Sequence, residues 1–310
     1  MVAQVLVELS SRNVDKTFDY LVPSKLEEEI QVGIRVLVPF GAQKLEGFVL
    51  CIKEMDQDTY DSEKLKEILE VIDQEVILNQ ELLKLGEEIS KTTLSTLISS
   101  YQVMLPEALK ARKKTQISKK IESYLSLGVE ENISSMNESQ KKIFELVKKE
   151  GRVLKSNLTK ISASSVKTLL KKGILIEEKE ETYRLKKDFT LKEKYPLTSL
   201  QQEIVDEVLK KKEANQTFLL HGVTGSGKTE VYMELIEHVL KEGKSSIVLV
   251  PEISLTEQIV SRFKSRFGDD IAILHSRLSS GEKYDEWRKI SRHEVKIVIG
   301  ARSAIFAPLE

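Results

Sequence analysis

Residues Gly222, Val223, Thr224, Gly225, Ser226, Gly227, Lys228 and Thr229 fill every fixed position of the phosphate-binding pattern G-x-x-x-x-G-K-[ST]. The chemistry asks for these residue types. Glycines let the backbone take positive φ and turn N–H groups inward. A helix starting inside the motif adds the partial positive charge of its N-terminus. Lys228 is placed to reach the β- and γ-phosphates, and the Thr229 hydroxyl to ligate Mg²⁺. ATP with Mg²⁺ is therefore the expected cofactor; a flexible Gly/Ser surface loop is the alternative. One component is missing. Phosphoryl transfer of this kind also needs a carboxylate at the end of a sheet strand. After the loop, IAIL runs into His275 and VKIVIGA into Arg302-Ser303-Ala304, and no apolar run ends in Asp-Glu.

The elements around the loop read as an α/β domain with a mainly parallel sheet. TFLL (Thr217–Leu220), SSIVLVP, IAIL and VKIVIGA are short apolar runs with helical patterns between them. Val231, Leu235, Ile236, Val239 and Leu240 lie on one face of a helix that stops at Gly243. Upstream, VAQVLVEL, GIRVLVPF and GFVLCIK alternate as strands, with GAQKLE as a hairpin connection between the second and third. LKEILEVI and QELLKLGEEISKTTLSTLISSYQ then read as helices, completing a small β-rich domain with appended helices.

The middle of the chain has another rhythm. SQKKIFELVKKEG places Ile143, Leu146 and Val147 on one helical face and ends at Gly151. LKSNLTK is a short helix. SASSVKTLLKKG offers serine caps, an apolar Val166-Leu169-Leu170 face and a closing Gly173. ILIEEKEETYRL reads as a two-stranded wing. Three helices and a hairpin make a winged helix-turn-helix, a module that often meets DNA through its third helix. Here that helix carries Lys167, Lys171 and Lys172. Protein contact or mere spacing between domains is the alternative.

Charge agrees with this division. Residues 107–195 hold 22 Lys and Arg against 13 Asp and Glu, and the rest of the chain 26 against 36. A basic middle between acidic flanks suits a polyanion, or a solvated lysine-rich surface. No proline falls between Pro106 and Pro196, so the expected domains are 1–106, 107–195 and 196–310. No run of 18 apolar residues is long enough for a membrane span. The N-terminus lacks the basic leader and apolar core of a signal peptide. The lone Cys51 excludes an internal disulfide and a cysteine-based zinc site within these 310 residues. A soluble, cytoplasmic protein is the simplest expectation.

GVTGSGKTEVY, VPEISLTEQ, the LHS of Leu274–Ser276 and IVIGARSAIFAPL, with KTFDYLVP (Lys16 to Pro23) and GIRVLVPFG (Gly33 to Gly41), resemble the PriA family of primosomal replication-restart helicases. The resemblance spans both ends of the chain; the middle is matched by its winged-helix pattern rather than by words. It implies a superfamily 2 DNA helicase. Such a protein recognises stalled or branched forks with a leading-strand 3′ end, unwinds DNA 3′ to 5′ with ATP and starts primosome assembly beside the nucleoid. Implied partners are forks, single-stranded DNA 3′ ends, other primosome proteins and single-stranded DNA-binding protein. The implied architecture is a 3′-end-binding domain, a winged helix and the first, RecA-like motor lobe, truncated. The family's DEEH motif, second lobe and zinc module are expected beyond Glu310, so this chain by itself is expected to hydrolyse little ATP.

Carried over by motif, the family's 3′-end pocket falls on Phe18, Asp19, Tyr20, Gly41 and Lys66. An aromatic stacks on a terminal base, a carboxylate accepts from a 3′-hydroxyl and a lysine meets phosphate. Phe18 and Tyr20 share one strand face and equally suit a core. Gln201 stands where the family reads the adenine edge, although Thr198 and Leu200 depart from the usual L-N-x-E-Q; an ordinary helix-start glutamine is the alternative. Arg302 and Ser303 match the motif that touches the DNA backbone, with a surface salt bridge as the alternative. Trp287 reads as a buried helix anchor, and His275 as structural or DNA-near rather than catalytic. Two other readings remain: a non-catalytic fork-binding module, and a P-loop kinase or transporter ATPase, which leaves the basic middle unexplained.

Overall fold

The computed structural model describes residues 1–9, 11–54, 65–112, 117–128, 136–185, 189–191, 193–212, 216–251 and 257–309. The chain divides into two units. One combines Met1–Ile117 with Lys187–Glu310, and the other is Ser118–Lys186. The middle unit is thus shorter at both ends than the 107–195 expected from its prolines. Part of the expected VPEISLTEQ motif, residues 252–256, lies outside the described residues.

Alternation in the first 53 residues gives strands that are apolar on both faces. β1 (Val2–Val7), β2 (Thr17–Leu21), β3 (Arg35–Phe40), β4 (Gln43–Lys53) and β5 (Glu70–Val71) form a sheet in the order β2-β1-β4-β3-β5. Val5, Val7, Val36, Val38 and Val49 point into one core, whereas Leu6 and Phe48 point into a second. The run LKEILEVI is extended, not helical. The Leu21 N–H donates to Lys66 O (3.0 Å) and the Ile68 N–H to Leu21 O (3.0 Å) on one side, and the Leu69 N–H to Leu37 O (2.9 Å) on the other. Pairing on both sides outweighs the weak helical preference of so short a run. This segment joins β2 to β3 and seals the sheet into a small barrel, which leaves no long open edge.

The second core is roofed by α1 (Gln80–Thr93) and α2 (Leu97–Met104). The sequence reads here as one helix. Leu94 instead takes φ 56° and Thr96 starts α2, so the pair folds back as a hairpin. Gly86 makes the crossing possible, because a Cβ there would lie 2.3 Å from the Tyr101 ring.

In the same unit, α5 (Ser199–Lys210), α6 (Lys228–Lys241), α7 (Glu257–Phe267) and α8 (Ser280–Ser291) surround a parallel sheet of β9 (Ser246–Leu249), β10 (Ile271–Leu274) and β11 (Ile297–Gly300), ordered β10-β11-β9. TFLL does not join it. A strand exists only by pairing, and among the described residues no ladder reaches residues 216–220. Leu219 is left 92% exposed.

α8 fastens this sheet to the barrel. The Glu286 carboxylate accepts from the Ile273 N–H of β10 (2.7 Å). The next residue, Trp287, is 2% exposed and belongs to the second core with Leu6, Phe48, Tyr101 and Leu109. Arg292 pairs with Glu75 beside it. Trp287 is therefore the helix anchor expected, and its socket belongs to the N-terminal barrel and its helices.

The middle unit carries α3 (Glu138–Glu150), α4 (Lys155–Lys171) and a sheet of β6 (Lys120–Leu127), β7 (Arg152–Leu154) and β8 (Leu175–Thr182), ordered β7-β6-β8. An Asn137–Gln140 capping box starts α3. α4 is two helices meeting at Ser162 (φ −163°, ψ 108°), whose Oγ accepts from the Ser165 N–H (3.3 Å) and caps the second. The expected two-stranded wing is one strand: β8 pairs along its whole length with β6, upstream of α3. No turn residue interrupts LIEEKEET, so it has nowhere to fold back.

Trp287→Ala should leave a cavity shared by barrel and lobe and cost about 3–5 kcal/mol. Denaturant unfolding should show one earlier transition for both parts, and a barrel signal that stays at the wild-type midpoint would contradict the shared core.

Candidate nucleic-acid interface and phosphate loop

At the start of α6, Gly225 and Gly227 take φ +81° and +82°, as a loop curling around an anion requires. A Cβ at Gly222 would lie 2.8 Å from Ser226 Oγ, and one at Gly227 would lie 2.3 Å from Gln201 Nε2. Lys228 Nζ donates to Gly222 O (2.7 Å) and Val223 O (2.8 Å) and so spans the loop from within. Bound phosphates would take over bonds that the ammonium makes to these carbonyls. The cradle fits a nucleotide phosphate chain, with Thr229 in the first turn of α6 as the residue to hold its Mg²⁺.

Gln201 lies at this loop. It is the third residue of α5, where its Oε1 accepts from the Thr198 N–H (2.9 Å) in a capping box. Its Nε2 donates to Ser226 O (3.1 Å). Thr198 thus supplies the cap in place of the family's asparagine, and both ends of the Gln201 amide are engaged.

Ion pairs hold α6 in place. Arg266, whose side chain is 7% exposed, reaches Glu230 (3.7 Å), Glu234 (2.9 Å) and Glu237 (2.5 Å) from α7. Lys194 adds bonds of 3.1 and 3.2 Å to Glu234. Burial pushes the Glu234 carboxyl up, but hydrogen bonds and charge from Lys194 and Arg266 outweigh it and hold it below its ordinary value.

On the barrel, strand alternation separates the expected 3′-end residues. Phe18 and Tyr20 face the inner core. Tyr20 is 4% exposed and its hydroxyl donates to Pro39 O (3.2 Å), so its ring is enclosed. Phe18 is half-buried, edge-on to Phe40 at 5.0 Å, with Lys16 Nζ 5.6 Å from its ring centre. Gly41 follows Phe40 at the β3–β4 turn with φ +59°. Asp19 points to the other face, where it accepts from Gln4 Nε2 (3.0 Å). Lys66 is exposed on the sealing segment, its carbonyl bonded to Leu21 of β2. The structure thus groups Phe18 with Gly41 and sets Lys66 beside the end of β2, while Asp19 stands on the opposite strand face. Gln4 is absent from the sequence reading, and Phe40 enters it only as one of the Ile34, Val36, Val38 and Phe40 strand face, not as a neighbour of Phe18. The alternation Val36, Val38, Phe40 marks Phe40 as inward, but nothing in the sequence pairs Gln4 with Asp19.

In the middle unit, Lys167 and Lys171 on the second half of α4 and Lys172 at its C-cap are exposed, and among the described residues none pairs with a carboxylate. β8 is the acidic side. Its Glu177 meets Lys155 (2.8 Å), Glu178 and Glu180 meet Arg152, and Glu181 meets Lys119. Arg302 and Ser303 are exposed just past β11.

A barrel followed by a P-loop domain matches two known families in the same order. The 3′DNA-binding domain (3′BD) family of PriA matches residues 4–106, and the type III restriction enzyme res subunit family matches residues 194–310. These define the class: an N-terminal 3′DNA-binding domain followed by a helicase-like domain. Replication restart protein PriA of Bacillus subtilis is 38% identical over 99% of this chain and 47% of its own length. That of Chlamydia pneumoniae is 34% identical over 99% of this chain and 42% of its own. That of Synechocystis is 47% identical over 48% of this chain and 18% of its own. The chain belongs to the PriA family of replication restart proteins. It spans less than half the length of these relatives. Among the described residues no helix is long and apolar enough to cross a membrane.

Arg266→Ala should remove one partner from each of three glutamates of α6, which keep Lys194 or Arg262, and lower the melting temperature at pH 7. Glu234 has a lowered folded-state pKa, so its contribution is present above the unfolded value and fades as pH falls through the folded one. The gap between variant and wild type should therefore narrow in acid; a gap constant with pH would assign the loss to packing.

Proposed function

We propose that this chain recognises branched DNA carrying a leading-strand 3′ end. Within the longer protein it would supply the first lobe of an ATP-driven, superfamily 2, 3′-to-5′ helicase that starts primosome assembly at stalled forks. The observation that carries the reading is the placement of a 3′-end-binding barrel and a closed phosphate loop in one compact unit. Asp19, on its own strand face, and Lys66 serve the 3′-hydroxyl and its neighbouring phosphate, while Phe18 and Tyr20 on the opposite face shape the barrel behind them. Lys167, Lys171 and Lys172 give the middle unit, as a winged helix-turn-helix, a phosphate-facing helix. Arg302 and Ser303 touch the DNA backbone from the lobe. ATP with Mg²⁺ supplies the phosphoryl chemistry when bound. Gly222 to Gly227 and Lys228 hold its phosphates, Thr229 its metal, and Gln201 braces the loop beside the adenine. Forks, other primosome proteins and single-stranded DNA-binding protein are the expected partners, beside the nucleoid in the cytoplasm; any zinc belongs to other parts of the longer protein.

The test is binding at fixed salt to two labelled forks, one with a free leading-strand 3′-hydroxyl and one with a 3′-phosphate. A charge-assisted hydrogen bond of about 1.5 kcal/mol corresponds to a preference of about tenfold for the hydroxyl. Asp19→Ala should abolish it. Equal binding of both forks by the wild type would remove the 3′-end reading.

Among the described residues no strand ends in Asp-Glu. The chain should therefore bind nucleotide weakly through Lys228 and show almost no turnover. Lys228→Ala should abolish that binding, and robust DNA-stimulated ATP hydrolysis by the chain would overturn this assignment.

A further inference from the structure

A cavity of about 630 Å³ opens where the helical roof of the barrel faces the lobe. It lies beyond the carboxyl ends of β9, β10 and β11, at Pro251, His275 and Ala301, which is where open α/β sheets hold their ligands. The lobe contributes Arg302, Ser303 and Lys283, and Lys283 donates to Ser276 O (3.3 Å). The opposite wall comes from the N-terminal part, with Val103, Pro106, Glu107 and Lys110. Val103 is 58% exposed although it lies between buried Tyr101 and Met104 near the end of α2. Lys110 is fixed through its own carbonyl, which accepts from Arg35 Nη1 (2.9 Å). Arg35 is 5% exposed and locked by Asp73, so the position of Lys110 is set by the barrel and not by a loose loop.

Three cations therefore line a groove whose only acidic lining residue, among the described residues, is Glu107. That carboxylate is engaged by two of the N-terminal cations, Lys110 at 3.1 Å and Arg112. A polyanion entering from the lobe side meets Arg302 and Lys283 first and then competes with Glu107 for Lys110. The apolar wall of Val103 and Pro106 suits the faces of bases whose phosphates lie on the cations.

We propose that this groove carries single-stranded DNA, that Lys110 of the N-terminal part is one of its phosphate contacts, and that Glu107 is an internal competitor that weakens the contact. The proposal rests on the reading of Arg302 and Ser303 as backbone contacts and extends it to the other wall. A strand held here touches both halves of the unit that Trp287 joins, so the groove is built by the pairing of barrel and lobe and belongs to neither alone.

The experiment uses the 310-residue chain and a labelled oligothymidine blocked with a 3′-phosphate, which removes the contribution of a 3′-hydroxyl. Affinity is measured from low to moderate salt. One lost phosphate contact lowers the single-strand salt slope by about 0.7, which at 0.1 M salt is about fivefold in affinity. Lys110→Gln should show both losses, and Glu107→Gln should tighten binding instead. Thermal melts check that each variant folds, and Glu107→Gln keeps the test decisive if Lys110→Gln does not fold. If Arg302→Ala weakens binding but Lys110→Gln and Glu107→Gln change nothing, the N-terminal wall is not a DNA contact and the proposal falls alone. If Arg302→Ala is also silent, it falls together with the reading beneath it.

Discussion

Everything in the larger unit depends on two neighbouring residues of α8 that serve different partners. Glu286 gives its carboxylate to a strand N–H of the lobe, and Trp287 gives its ring to the core of the barrel. A buried carboxylate is tolerable only when its acceptor sites are used, so Glu286 fixes where the helix lies on the sheet. With that settled, the large indole defines how the lobe docks on the barrel. The phosphate loop, the strand ends carrying Arg302 and the 3′-end barrel are thereby held in one frame. The ion pairs on α6 then refine the loop within that frame.

The interface is not only apolar. Arg35 is a buried guanidinium satisfied by Asp73 and by the carbonyls of Ala108 and Lys110. Its desolvation cost is met only with all of these partners in place. It therefore behaves less as glue than as a specification: the segment 108–110 has one acceptable path across the barrel, and that path is the wall of the groove facing the lobe.

Much of this was legible in the sequence where local chemistry alone decides the structure. The phosphate loop needs glycines at fixed offsets, and Gly225 and Gly227 do take the positive φ that the pattern demands. Three of the four apolar runs around it became parallel strands, and the serine caps of the middle unit placed a break at Ser162. Apart from the break at Leu94, the misses are non-local. LKEILEVI fits a helical and an extended period equally well over eight residues, and only its two flanking strands make it β. TFLL has the composition of a strand but no described neighbour to pair with. The wing was read as folding back on itself because its true partner, β6, lies some fifty residues upstream. Within the candidate site, residue types and faces are both readable, since Phe18 and Tyr20 share one strand face in the sequence; the cross-strand partner of Asp19, Gln4, is not. The motif sets Phe18, Asp19 and Tyr20 side by side in the chain, and the pleat keeps Asp19 on the face opposite the other two, as the alternation implies.

The socket for Trp287 has a temporal side. Leu6, Phe48, Tyr101 and Leu109 all precede the middle unit in the chain, whereas the indole that covers them follows it. At about 5–20 residues per second during synthesis, the 178 positions between Leu109 and Trp287 take roughly 9–36 seconds to emerge. For that interval the nascent barrel presents an apolar patch with nothing to cover it, while the middle unit has time to fold by itself. A chain built in this order makes any pause in translation before residue 287 a period of aggregation risk.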